Sequence, residues 1–228
     1  MMFSRTDKSP LAQWWWSIDK ELLGALMLLM TCGMVLSFAA SPPVAERLGL
    51  SQWHFVIRHA LFCIPALGAL LLASLLSPRQ ARFAALATLL VSVVLLYATL
   101  RFGAEVKGAR RWISIAGNTV QPSEFVKPAF AVLGAWLFSE SMIHRNVPGR
   151  TLATLTMLAI VAGLLLQPDI GQTALVFATW AVLLFLSGIS WFVIFALGGA
   201  AAALLFGAYL FFPPFARRID TFLNPEGG

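Results

Sequence analysis

Two short polar segments lie at the edges of long apolar stretches in this chain. The first segment runs from Lys107 to Lys127, and the second runs from Gln167 to Asp169. Closely spaced Arg and Lys side chains bind phosphate groups, and a carboxylate can accept a proton in a transfer reaction. The basic segment is therefore a candidate binding surface for a phosphorylated ligand, and Asp169 would lie beside it if both segments face one side of the membrane.

The first segment contains a basic stretch between two apolar stretches. Lys107, Arg110 and Arg111 precede Trp112 and Ile113, a pair suited to contact with a membrane surface. We expect residues 101–121 to form a loop. Its three cations predict a docking surface for a pyrophosphate or a phospholipid head group. A solvated or lipid-facing basic loop is an equal alternative.

The residues after this loop have the pattern of a helix start. In Gln121-Pro-Ser-Glu124, proline suits the first helical turn, and the acid complements the positive end of the helix dipole. Glu124 and Lys127 are three residues apart, so they share a helix face and can pair. An intramembrane lysine is unfavourable unless it is paired or faces a cavity. We predict a structural ion pair, a polar cavity lined by Gln121 and Glu124 in which Lys127 binds phosphate, or both.

The second segment also has the pattern of a helix start, and it lies between two later apolar stretches. Asp169 is predicted to cap the following helix, with Gln172 as its capping-box partner, and capping alone would explain the acid. If the N-terminus lies inside the cell, Gln167 and Asp169 face the same side as the basic loop, and we expect both to line a polar cavity or to have a structural role. Arg58, inside another apolar stretch, is predicted to have a structural partner, either a carboxylate or backbone carbonyls.

The composition indicates a membrane protein. Hydrophobic residues make up 59% of the chain and charged residues 11%, with a net charge of +6 and a mean hydropathy of +0.82. Soluble domains contain about 25% charged residues. The cations are scattered among short loops, which argues against nucleic acid as a partner.

Cys32 and Cys63 lie inside apolar stretches and are expected to be small core residues. The histidines lack the spacing of a metal site, and no nucleophile elbow or phosphate-binding glycine loop occurs.

Apolar stretches of helical length predict an all-α, polytopic integral membrane protein with about seven transmembrane helices. Cations are equally divided between the two sides, but three in the N-terminal tail against one in the first loop favour an internal N-terminus. We expect a cytoplasmic tail over residues 1–21, a helical bundle over 22–212 and the start of a large extracytoplasmic loop over 213–228. The predicted spans are Leu22–Ala40, Phe55–Leu76, Phe83–Leu100, Phe125–Phe138 with a start near Pro122, Leu152–Leu166, Thr173–Gly188 and Trp191–Phe212.

The order and spacing of these polar segments resemble those of the SEDS family of bacterial shape, elongation, division and sporulation proteins. Ser37–Ser41 and Arg218–Pro225 are similar to the cell-division branch, with the cell-elongation branch as the near alternative. The matching segments are Lys107-Gly-Ala-Arg-Arg-Trp-Ile113, Gln121-Pro-Ser-Glu124 with Lys127, and Gln167-Pro-Asp-Ile-Gly171.

The resemblance implies a peptidoglycan glycosyltransferase of the bacterial inner membrane, at the division septum, that polymerises lipid II. It implies a class B penicillin-binding protein, other divisome proteins and membrane lipid as partners. No covalent cofactor is implied, and a divalent metal is left open. The family has ten spans, and its catalytic aspartate lies in a later His-Thr-Asp-Phe context. That tetrapeptide does not occur here, so we expect an N-terminal fragment without a catalytic residue of its own. A lipid-precursor flippase and a scaffold that recruits the synthase are the alternatives.

Overall fold

The chain is mainly helical in the computed structural model, which describes residues 9–106, 109–115, 117–144, 146–211, 213, 216 and 220. Each predicted span overlaps one long helix, and the all-α membrane architecture is confirmed. The fourth span begins at Pro122, as predicted, but extends to Ile143. The helices are α1 Pro10–Ser17, α2 Lys20–Arg47, α3 His54–Ser74, α4 Pro78–Phe102, α5 Pro122–Ile143, α6 Gly149–Leu166, α7 Ile170–Leu186 and α8 Trp191–Phe211. Three strands lie between α4 and α5: β1 Ala104–Val106, β2 Ala109–Ile115 and β3 Asn118–Val120.

Several helices have the length and apolarity needed to cross a bilayer. Within the described residues these are α2, α3, α4 and α6, and α7 is a shorter apolar helix. A chain with four such helices is a multi-pass membrane protein, because a bilayer is the solvent that tolerates so many exposed apolar side chains. The number of seven spans stays a prediction.

The chain divides into two compact units, residues 1–81 and 82–228. In the first unit α2 packs against α3. The Trp14 indole Nε1 donates a hydrogen bond of 2.8 Å to the Ser74 hydroxyl. Both cysteines are free, and Cys32 is exposed. The expectation of a core position for Cys32 is therefore wrong, because no residue in the apolar window of α2 is buried.

The second unit has a core formed by α4, α5, α6 and α7. Phe130, Ile160 and Leu164 are at most 1% exposed and belong to this core. The inward face of α4 follows the three-to-four-residue period of a helix. This packing holds one end of α5 close to the turn between α6 and α7. The buried residues of α4 are Ala85, Leu89, Ser92, Leu96 and Thr99.

The segment expected to be a loop is an antiparallel sheet with the strand order β1-β2-β3. Glu105 pairs with Arg110 and Ala104 pairs with Trp112, so Arg111 is the extra residue of a β-bulge. Ile115 pairs with Asn118 across a tight connection in which Gly117 has a φ of +78°. Glycine readily adopts this backbone conformation, which favours hairpin turns. Gly117 and the apolar-polar-apolar order of Ile113, Ser114 and Ile115 were the local signals for this hairpin in the sequence.

Gly149 allows α6 to begin in contact with α5. A Cβ atom at this position would lie 2.0 Å from the backbone oxygen of Leu137. Because that oxygen belongs to the backbone, a larger residue must displace one of the two helices. We expect Gly149→Ala to lower the free energy of unfolding by about 1–3 kcal/mol, measured by unfolding in mixed detergent micelles.

Gly198 provides the matched control for this substitution. A Cβ atom there meets nothing within 4 Å, because Gly198 lies on an open face of α8. Alanine is about 1 kcal/mol more favourable than glycine inside a helix. Gly198→Ala should therefore be neutral or stabilising, and equal losses at the two positions would contradict the close contact of α5 with α6.

Candidate functional site

The two polar segments meet at one end of the second unit. Asp169 of the second segment lies 3.6 Å from Arg111 of the first, so the predicted meeting of this acid with a cation of the basic segment is confirmed for Arg111. The meeting with several cations at one membrane face stays a prediction. We call the residues that meet here the polar cluster. It consists of Arg111, Gln121, Glu124, Lys127, Gln167, Asp169 and Gln172.

Arg111 joins the sheet to the turn between α6 and α7. Its Nε donates to the carbonyl oxygen of Gln167 at 3.1 Å, and its Nη2 donates to the carbonyl oxygen of Pro168 at 2.6 Å. Its Nη1 lies 3.6 Å from Asp169 Oδ2. The guanidinium thus binds carbonyls beyond the end of α6 and neutralises the acid that begins α7, and the planar fork of arginine donors suits this arrangement.

Asp169 caps α7 and is itself held from two other elements. Its Oδ1 accepts from the backbone N–H of Gln172 at 3.4 Å, so the predicted N-cap is confirmed. Its Oδ2 accepts from Gln121 Nε2 at 3.3 Å, just before α5. The capping box is wrong, because the backbone N–H of Asp169 donates to the carbonyl of Leu164. The Gln172 side chain is thereby left for another contact.

Glu124 and Lys127 form the predicted ion pair on the first turns of α5. Lys127 Nζ lies 2.8 Å from Glu124 Oε2. The other carboxylate oxygen, Oε1, accepts from Gln172 Nε2 at 2.7 Å. The Lys127 side chain is 25% exposed and the Glu124 side chain 51% exposed. An ammonium group has three donors, so Lys127 retains donors for an anion that approaches from solvent.

Gln167 anchors the turn to the core. Its Nε2 donates to the carbonyl oxygen of Leu96 at 2.7 Å and also contacts the Thr99 hydroxyl. The side chain is fully buried, and its Oε1 has no partner among the described residues. Gln167 therefore has a buried, structural position behind the cluster. Its role as a cavity residue stays a prediction.

The remaining candidates lie elsewhere. Arg110 forms an exposed ion pair with Glu105 at 3.4 Å, with side chains 48% and 59% exposed. Lys107 lies outside the described residues. Arg58 lies in α3 of the first unit, with its guanidinium carbon 5.8 Å from the centroid of the Phe62 ring. Of the four phosphate-binding candidates, Arg111 and Lys127 therefore belong to the polar cluster.

The charges of the polar cluster balance one another. Glu124 is bound by Lys127 and by an amide, and Asp169 is bound by Arg111 and by an amide. A divalent cation prefers several oxygen ligands that are not already bound to cations. In the part of the chain that the structure describes, no group of three or more His, Cys, Asp or Glu side chains is placed to hold a metal ion. These residues do not fit a metal centre, so no chemical step is assigned to one.

The contacts of Gln172 and Thr99 with the cluster were missed by the sequence interpretation. Gln172 follows Asp169 by three residues, which is also the spacing of a capping box, so its contact with Glu124 gives no separate local signal. Thr99 precedes Gln167 by 68 residues, and only the packing of α4 against α6 brings them together.

Comparison with known proteins identifies relatives over nearly the whole chain. A family model described as "Cell cycle protein", covering FtsW, RodA and SpoVE, matches residues 20–227. A probable peptidoglycan glycosyltransferase FtsW of Caulobacter vibrioides is 43% identical over 98% of this chain and 58% of the relative. An FtsW of Pseudoalteromonas atlantica with the same description is 34% identical over 91% of this chain and 43% of the relative. The chain thus spans about half the length of these relatives.

Solved structures show the same fold. The rod shape determining protein RodA of Thermus thermophilus has a TM-score of 0.66 and 28% identity, over 85% of this chain and 62% of that chain. A chain from a structure entitled "Structural coordination of polymerization and crosslinking by a peptidoglycan synthase complex" has a TM-score of 0.67 and 29% identity. That match covers 92% of this chain and 60% of the other.

Proposed function

Because this chain belongs to the FtsW/RodA/SpoVE family of cell cycle proteins, we propose that it forms part of a peptidoglycan glycosyltransferase that polymerises lipid II. The family is the SEDS family that its polar segments resemble. Its curated relatives have the name FtsW, which supports the cell-division branch. The proposal concerns a longer protein, since the chain covers 58% of the Caulobacter relative.

The observation that carries this proposal is the position of Lys127. Polymerisation of lipid II displaces a lipid pyrophosphate from the anomeric carbon of one sugar by a hydroxyl of the next. Negative charge develops on the departing pyrophosphate and requires positive groups that are already in place. Lys127 is fixed by Glu124 and remains 25% exposed. It therefore suits the pyrophosphate better than Arg111, most of whose donors are bound to the turn.

Arg110 is a second cation of the proposed anion-attracting surface, and Lys107 stays a candidate from the sequence alone. Arg110 is half exposed, and its pair with Glu105 is of the kind that contributes little energy. It can exchange this partner for a phosphate oxygen. The base that accepts the hydroxyl proton is, by family resemblance, an aspartate in a His-Thr-Asp-Phe context that does not occur in these 228 residues.

We also propose the partners and the location that the family implies. A class B penicillin-binding protein would crosslink the strands, in line with the structural neighbour from a peptidoglycan synthase complex. Other divisome proteins would bring the complex to the septum of the inner membrane. In this arrangement residues 1–21 lie inside, residues 22–212 form the bundle, and the polar cluster faces the outer side, where lipid II is presented.

A chimera tests the proposed function. The chain would replace the matching 58% of the Caulobacter relative, and the rest of that relative would be kept. With a class B penicillin-binding protein, the purified chimera should form glycan strands from lipid II at a rate near that of the intact relative. The 228-residue chain alone should be slower by about 10²–10⁴-fold, the contribution of a well-placed base.

The same preparation separates the alternatives. Transfer of lipid II across vesicles without strand synthesis by the chimera would favour the flippase. Recruitment of the synthase without either reaction would favour the scaffold. Strand synthesis by the chain alone at a comparable rate would contradict the assignment of the base and point to Asp169 or Glu124.

A further inference from the structure

Gln172 makes a contact in the polar cluster that capping of α7 does not explain. Gln172 lies in the first turn of α7, and its amide Nε2 donates to Glu124 Oε1 on α5 at 2.7 Å. The backbone N–H of the same residue donates to Asp169 Oδ1. Gln172 is therefore held at its backbone by the cap of α7 while its side chain holds an acid on a different helix.

The contact determines the orientation of the amide. Gln172 Oε1 is buried and has no partner among the described residues. A buried acceptor without a donor is destabilising, so a freely turning amide would avoid this arrangement. Turning it round would place Oε1 against the Glu124 carboxylate, and two acceptors repel. The amide therefore keeps its Nε2 toward Glu124, because a hydrogen bond to a charged acceptor is stronger than one between neutral groups.

Glu124 needs such an anchor. Its side chain is about half exposed, and an exposed ion pair three residues apart on a helix is weak and mobile without further contacts. Its two oxygens are bound on opposite sides, one by Lys127 and one by Gln172. The Lys127 ammonium is therefore connected to the first turn of α7 through the carboxylate between them.

We propose that Gln172 is a positioning residue: its amide fixes the Glu124 carboxylate, and through it the Lys127 ammonium, in place for a phosphate group of the ligand. The inference rests on the proposed role of Lys127 in binding pyrophosphate. Gln172 does not touch the ligand. It reduces the orientations of a long lysine side chain before the ligand arrives, so that less conformational freedom is lost on binding.

The chemical reactivity of the Lys127 ammonium measures how firmly Gln172 fixes it, and the measurement needs no ligand. The purified chain in nanodiscs is labelled with limiting acetic anhydride, and mass spectrometry gives the ratio of acetylated Lys127 to acetylated Lys20. Lys20 is an internal reference in the first unit, where its ammonium lies over the Trp16 ring. Gln172→Leu should raise the ratio about fivefold, the factor expected for loss of one hydrogen bond.

A double-mutant cycle separates positioning from a general loss of structure. Glu124→Gln should also raise the ratio, and adding Gln172→Leu to it should change the ratio by less than twofold, because the intermediate group is already altered. Gln172→Asn keeps an amide that is too short to reach Glu124, so it should also raise the ratio about fivefold. This variant tests the proposal if the leucine variant folds poorly. Gln80→Leu removes an amide bound to Ser77 in the first unit and should leave the ratio unchanged.

An unchanged ratio in both Gln172 variants would overturn the proposal. It would also be overturned if the double variant raised the ratio by the product of the two single effects. The measurement uses neither lipid II nor a partner synthase. It can therefore fail while the chimera polymerises lipid II, or succeed while the chimera is inactive, so the two proposals fail separately.

Discussion

Replacing Arg111 with leucine is expected to lower the free energy of unfolding by about 2–4 kcal/mol. The substitution leaves Asp169, whose side chain is 9% exposed, without its cation, and two turn carbonyls without their donor. Removing one member of a buried ion pair typically destabilises by about 3–5 kcal/mol, and the 25% exposure of the Arg111 side chain reduces that value. Unfolding in mixed detergent micelles, followed by tryptophan fluorescence, measures the change.

The neighbouring arginine is the matched control. Arg110→Leu removes an exposed ion pair with Glu105 and should change stability by less than about 1 kcal/mol. Adding Asp169→Asn to Arg111→Leu should recover part of the loss, because it removes the unpaired charge and keeps a side chain that caps helices well. Equal losses for the two arginines would show that Arg111 does not anchor the turn.

Replacing Lys127 with alanine in the chimera is expected to lower the rate of strand synthesis by about 10²–10³-fold. That is the effect of removing one preorganised group that stabilises developing negative charge. Lys127 is suited to this because one partner fixes it while a quarter of the side chain remains exposed. The rate is measured with lipid II and the partner synthase at saturating substrate.

Lys20→Ala is the control for the loss of a lysine. Lys20 is the first residue of α2, and its ammonium lies 4.5 Å from the centroid of the Trp16 ring. Its removal should change the rate of the chimera by less than twofold. A rate for Lys127→Ala within threefold of the parent chimera, in a variant of unchanged stability, would contradict the role of Lys127 at the pyrophosphate.

The helices and the pairing of Glu124 with Lys127 were predictable because both depend on residues close together in the chain. A span of about 20 apolar residues has few alternatives to a transmembrane helix, since its backbone must satisfy its own hydrogen bonds in lipid. A separation of three residues places two side chains on one helix face. Proline at the second position of Gln121-Pro-Ser-Glu124 marked the start of α5, and Asp169 marked the start of α7, for the same local reason.

The partners of these side chains were decided by tertiary structure. Arg111 was expected to bind a ligand, yet the bulge in β2 and the packing of α4 to α7 place it on the turn 56 residues away. Gln172 was expected to complete a capping box, yet it reaches Glu124 on another helix because the ends of α5 and α7 are packed side by side. Sequence determined which groups carry charge and where helices begin, since those depend on local chemistry. Only the packed core determined which charge meets which, since a salt bridge or a hydrogen bond requires approach within a few ångströms.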